Sequence, residues 1–165
     1  MKSPHILLAG TNIRQVKNNL GHIIDAVAVQ AIEDEISRNV TQLFTLGLHH
    51  YSFAQRLAAR NWRQTISRAY YGAYNVSRAV RLHVSGDFST DIRDHQKIES
   101  LPSDFPMKST YTNRLVVLRE DRNLCDYDHT AGEADLVIGR KESLELVSKF
   151  IADARRYLKG RGVNL

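Results

Sequence analysis

Between about Glu33 and Arg60, apolar or small residues recur at Ile36, Val40, Leu43, Gly47, Tyr51, Ala54 and Ala58. Steps of three and four put them on one face of a helix, so a long first helix is expected, softened at Gly47. The period resumes at Trp62, Ile66, Ala69, Tyr70, Ala73, Val76, Val80 and Val84, which fall within about a third of the helix circumference. These two helices, joined near Asn61, read as an antiparallel hairpin, with Arg68, Tyr71 and Arg78 opposite the apolar face of the second. From Ser85 to Lys108 the period is lost among Gly86, Pro102 and Pro106, which predicts a long connection with a turn of helix at Asp94 to Ser100. Connections of this length are often functional or mobile.

A third helix is expected from about Thr110 to Arg122, with Leu115 and Leu118 inward. Thr130 and Glu133 have capping-box spacing, in which hydroxyl and carboxylate satisfy each other's free backbone amides, and so predict the start of a fourth helix. Its seam is Val137, Leu144, Val147, Ile151, Ala154 and Leu158, in a heptad register broken only at Arg140 and ending before Gly160. Asn12 to Leu20 reads as a short helix. The expected fold is all-α, an antiparallel helical bundle of four main helices with a long loop between helices 2 and 3. Residues 1–32 form an unassigned N-terminal extension and residues 33–160 the helical domain.

Composition narrows the function classes. A chain of 165 residues, 42% hydrophobic and 25% charged with only 3 Pro, is one globular domain rather than a disordered or low-complexity segment. Its single cysteine, Cys125, can form neither an internal disulfide nor a multi-thiolate metal site, and reads as a plain buried thiol. The apolar run Ile6 to Ala9 is too short for a secretory signal, and no stretch approaches the about 18 to 20 apolar residues of a membrane span. A cytoplasmic protein without membrane contact is expected.

The net charge of +5 is unevenly spread: from Ile36 to Gly86 there is no Asp or Glu, while Arg38, Arg56, Arg60, Arg63, Arg68, Arg78 and Arg81 all lie there. The acidic residues concentrate after Gly86. Two readings follow: the halves match charges as they pack, or the arginines present a surface to phosphates. Arginine outnumbers lysine 16 to 7, and guanidinium is the better bidentate donor to phosphate and carboxylate alike. No phosphate-cradling glycine loop, paired-glycine dinucleotide turn or nucleophile-elbow serine is present. His49 and His50, adjacent on a helix, diverge by about 100 degrees, and no metal or other cofactor is expected.

Two segments carry a resemblance. They are Ser67-Arg68-Ala69-Tyr70-Tyr71-Gly72-Ala73-Tyr74 in the second helix and Leu118-Arg119-Glu120-Asp121-Arg122-Asn123-Leu124-Cys125-Asp126-Tyr127-Asp128-His129 between the third and fourth. Together with the order and length of the helices over about Glu33 to Leu158, they resemble the HEPN domains of prokaryotes. The resemblance implies a helical domain, usually dimeric, that often acts as a metal-independent endoribonuclease, many members being toxins partnered with a nucleotidyltransferase antitoxin. The family's motif is Arg, four to six residues, then His, and six separate Arg122 from His129. Arg78 and His83 also fit that spacing, but lie in mid-helix with side chains about 140 degrees apart. Ala131 stands where one branch of the family has a tyrosine modified by the partner.

The chemistry fits these residue types. His129 would transfer protons, since imidazole titrates near neutrality. Arg122 would hold the charge that builds on the phosphate. Asp126 or Asp128 would orient the imidazole, and a two-fold dimer would bring two copies of each residue to one cleft. Arg68, Tyr71, Arg78 and Tyr127 are the expected RNA contacts. The other reading is a non-catalytic module that dimerises and binds a nucleotidyltransferase or another protein, in which Arg122 only bridges a neighbouring aspartate.

Overall fold

A computed structural model describes residues 12–165. The apolar run at 6–9 lies outside the described residues. The protein is all-helical: α1 (Ile13–Leu20), α2 (Ala26–Arg56), α3 (Trp62–Ser85), α4 (Lys108–Tyr127) and α5 (Arg140–Lys159), with short 3-10 turns at Ala59–Asn61, Ile92–Lys97 and Glu133–Asp135. Among the described residues there is no strand, and no helix is long and apolar enough to cross a membrane.

The centre of the fold is α3, which packs against α2, α4 and α5. Of its expected apolar face, Ile66, Ala69, Tyr70, Ala73, Val76 and Val80 are buried, Trp62 is half-buried and Val84 at the end is exposed. Because three helices surround α3, Tyr74, Ser77, Ala79, Arg81 and Leu82 are buried as well. Gly47 does not soften α2. A Cβ there would lie 2.7 Å from Val76 Cγ2 and 2.8 Å from the Gly72 carbonyl oxygen, so this glycine allows the backbones of α2 and α3 to touch. Tyr51 packs on Gly72 one turn further along, and α2 and α3 therefore run antiparallel.

The connection from Gly86 to Met107 is packed, not loose. Phe88, Ile98, Leu101 and Phe105 enter the core, and the one helical turn sits at Ile92–Lys97, slightly before the predicted place. Gly86 closes α3 in the left-handed region at φ 69°, donating its N–H to Leu82. A Cβ there would also come within 3 Å of Asn12 and Arg14. These belong to the α1 end: the Asn12 side chain donates to Ser85 O, while Arg14 donates to His83 O and pairs with Glu33.

The capping box predicted at Thr130 is not formed, and the last helix begins ten residues later, at Arg140. Thr130 instead donates from both its N–H and hydroxyl to Asp128 Oδ1, an Asx-type turn that competes with helix initiation. Val137 is exposed and Ile138 takes the buried place, because Asp121, itself 2% exposed, accepts from the N–H groups of both residues at 2.9 Å. Leu146, Val147, Phe150, Ile151, Ala154 and Leu158 then bury the inner face of α5.

Candidate functional site

The hairpin geometry decides which side chains of α3 face outward. One turn past the Gly47 approach, His50 of α2 comes beside Tyr71, ring centroids 5.6 Å apart, and its Nδ1 lies 3.3 Å from Arg68 Nη1. From the other side α4 lays Arg122 against the same tyrosine: Nη2 donates to Tyr71 Oη at 2.7 Å. The guanidinium stands 5.5, 5.3 and 5.3 Å from the ring centroids of Tyr70, Tyr71 and Tyr127, within cation–π range of all three. Its Nε is 2.8 Å from Asp126 Oδ2, near enough for an ion pair but not aligned for a hydrogen bond. Burial alone would lower the Arg122 pKa; the Asp126 charge, with hydrogen bonds to Tyr127 and Tyr71, outweighs it and keeps the pKa above the ordinary arginine value.

Tyr71 separates two clefts. One, of about 650 Å3, is lined by His50, Arg63, Ser67, Arg68, Cys125 and Asp126 as well as Tyr71. The other, of about 600 Å3, is lined by Tyr70, His95, Arg119, Arg122 and Tyr127. Both are within the size range of ligand sites. Tyr127 is 74% exposed beside Arg122, so its ring is free on the solvent side.

The structure thus brings together Arg122, Asp126, Tyr71 and Tyr127, with Arg68 in the neighbouring cleft. It does not bring His129 to them. His129 is exposed, lines neither cleft and makes no hydrogen bond or ion pair among the described residues. Neither candidate aspartate orients it, since Asp126 faces Arg122 and Asp128 accepts from Thr130. Arg78 lies outside both clefts. It donates to Ser89 O at 2.7 Å, approaches Asp94 at 3.4 Å and packs over Phe88, so it holds the connection against α3.

Arg63 had no assigned role in the sequence, yet it fixes the segment that carries His129. Its Nη1 donates to Cys125 O at 2.8 Å and Asp128 O at 2.6 Å, and its Nη2 to Ala131 O. One guanidinium therefore satisfies a carbonyl in the last turn of α4 and two carbonyls of the segment beyond it. Cys125 is buried next to it, and burial pushes its thiol pKa up to about 12, which makes it an inert core residue as expected.

The arginines of the first half divide into a buried, paired one and exposed, unpaired ones. Arg81 is 2% exposed and is consumed by charge matching, with Asp94 at 2.9 and 3.1 Å and Asp87 at 2.7 Å. Arg56 and Arg60 are exposed and form no ion pair among the described residues. Sequence reasoning missed His50, His95 and Arg119 as cleft residues. Only Arg119 carried a signal, three residues before Arg122 in the quoted motif and hence on the same helical face. Comparison with protein-family models, with curated proteins and with solved structures finds no match to this chain.

Proposed function

We propose that this chain is a metal-independent endoribonuclease of HEPN type, a toxin or defence effector that cuts RNA through attack of a 2′-hydroxyl. The observation that carries the reading is Arg122, which lines one cleft and is held on Tyr71, the residue that borders both. Its Nη2 has a second N–H with no partner among the described residues, free to donate to a phosphate oxygen. Arg68 in the neighbouring cleft adds a guanidinium without an ion pair among the described residues, while Arg119 is paired with Glu99 and Glu120, and the open face of Tyr127 is a platform on which a base can stack. The helices form an antiparallel four-helix bundle of HEPN type, two copies of which pair across this face, and a nucleotidyltransferase antitoxin holds the activity in check.

The test is incubation of the purified protein with labelled structured and single-stranded RNAs in EDTA, beside an Arg122→Gln variant, reading product ends. Products ending in 2′,3′-cyclic phosphate from the unsubstituted protein alone are expected. No cutting by either protein overturns the nuclease reading. One observation favours the non-catalytic alternative: His129 stands apart from Arg122, and the Arg122–Asp126 pair at i, i+4 is a common helix-surface contact. On that reading the arginine-bearing clefts serve a protein partner, and RNA binding is absent at any salt concentration.

A further inference from the structure

The Arg122 cleft contains an imidazole that the sequence motif does not name. His95 sits in the 3-10 turn Ile92–Lys97, and the residue before it, Asp94, is sealed in the pair with Arg81 and accepts the Tyr74 hydroxyl at 2.9 Å. That buried anchor fixes the turn over α3. The His95 ring stacks on Tyr74 with centroids 4.2 Å apart and 18° between planes, and its Nδ1 is 2.8 Å from Tyr70 Oη. Its Nε2 has no partner among the described residues, and it is not among the buried polar atoms left unpaired. The free nitrogen is therefore open to solvent, in a cleft that Arg122 also lines, together with Arg119 and the two glutamates it pairs with, Glu99 and Glu120.

We propose that His95, rather than His129, is the imidazole that takes the 2′-hydroxyl proton when this cleft cuts RNA, with Tyr70 as its positioning residue. The proposal rests on the ribonuclease reading above and names the group that completes it. A tyrosine hydroxyl can accept as well as donate, so Tyr70 Oη can accept from Nδ1–H and leave a lone pair on Nε2. Taking a proton at Nε2 then leaves the Nδ1 bond unchanged. The 2′-oxygen forms its bond to phosphorus as the bond to the 5′-oxygen breaks. The leaving oxygen takes a proton from water, and the hydroxide so formed is neutralised by the proton His95 releases.

The charged and titratable groups around His95 are Arg122, Arg119, Glu120 and Tyr127 on α4, Arg78 and the hydroxyls of Tyr70, Tyr71 and Tyr74 on α3, Asp94 in its own turn and Glu99 just after it. Burial first, then Arg122 and Arg78 against Asp94, lower its pKa from the ordinary 6.5. The ring is consequently neutral and able to accept a proton at neutral pH. Burial also raises the Tyr70 pKa, so the hydroxyl keeps its proton.

The test compares the full chain with His95→Gln and His129→Ala on labelled RNA in EDTA, with RNA affinity and far-ultraviolet circular dichroism measured in parallel. The expected result is a loss of cutting of about 100-fold or more in His95→Gln with affinity retained, and undiminished cutting in His129→Ala. Loss in His129→Ala with normal cutting by His95→Gln overturns the proposal and leaves the ribonuclease reading standing. No cutting by the unsubstituted chain overturns both. Should His95→Gln fail to fold, the pH–rate profile of the unsubstituted protein decides: an acid limb with its midpoint below 6.5 supports His95, and a midpoint at or above that value overturns it.

Discussion

Arg81 and Arg122 each meet an aspartate and a tyrosine environment built on α3, yet the two sites differ in what encloses them. Around Arg81 the connection from 86 to 107 folds over the guanidinium, bringing Asp87 and Asp94, and leaves the two paired side chains of Arg81 and Asp94 at 2% and 0% exposure. Around Arg122, itself 12% exposed, there is one aspartate at 27%, with Asn123 and three tyrosines as the other neighbours, and one open cleft that the arginine lines. The same chemical pair is sealed where a second acid and the connection cover it, and borders an open cleft where they do not. A buried charge that is already neutralised has no field left to offer.

The sharpest way to break this contrast is Asp94→Ala. It leaves Arg81 buried with only Asp87, so unfolding free energy is expected to fall by about 3–5 kcal/mol in a urea titration. Replacing both partners together, Arg81→Met with Asp94→Leu, is expected to recover most of that loss. A double variant as unstable as the single one would show that the pair is not what closes this region.

Gly47→Ala tests what holds the open site in place. The added methyl meets the backbone of α3, and a cost of about 1–3 kcal/mol is expected by thermal melting. A change under about 0.5 kcal/mol would mean that α2 can shift without harm, and that the approach of His50 to Tyr71 is not fixed by this crossing.

At Arg122 itself the effect on stability is expected to be smaller. Arg122→Gln removes a pair whose side chains are 12% and 27% exposed, worth about 1 kcal/mol, and should lower the melting temperature by about 2–4 °C. RNA binding should weaken, and the slope of log affinity against log salt should shrink by about one phosphate contact. An unchanged slope would place Arg122 with Arg81 among the internal pairs.

The smallest expected effect is of pH. Burial first, and then neighbouring cations, hold His50, His83 and His95 below the ordinary 6.5. Each binds its proton more readily in the unfolded chain, so the folded state keeps this share of its stability above 6.5 and loses it as pH falls through the lowered values. A denaturation midpoint that declines from pH 7 to pH 5 in the unsubstituted protein, and less in His95→Gln, checks it.

Helix α3 was legible because Ile66, Ala69, Ala73, Val76 and Val80 repeat at helical spacing and the core obeys that spacing. The joint near Asn61 was legible for the same reason, as the place where one period ends and another begins. Gly47 was misread because a glycine's local helix cost is visible in sequence while the partner backbone it admits is not. The start of α5 was misread because Asp128 reaches Thr130 before Glu133 can, and because Asp121 holds Val137 and Ile138 from sixteen and seventeen positions away. Of the candidate site, Arg122, Asp126 and Tyr127 share one helix end and could be read locally. His95 lies in a segment without period, and nothing near it in sequence points to the Tyr70 hydroxyl that it meets in space.

The grip of Arg63 on three carbonyls of the segment from Cys125 to Ala131 has a consequence for what it means to transplant a motif. The letters from Arg122 to His129 are written in one stretch of chain, but the path they follow after Tyr127 is dictated by a guanidinium from the first turn of α3. Copied alone into another helical protein, those eight letters would bring their chemistry without their shape. Copied with an arginine at the matching place on the facing helix, they would bring both. A lysine there would not serve, for it has the charge but lacks the rigid fork that spans separate acceptors.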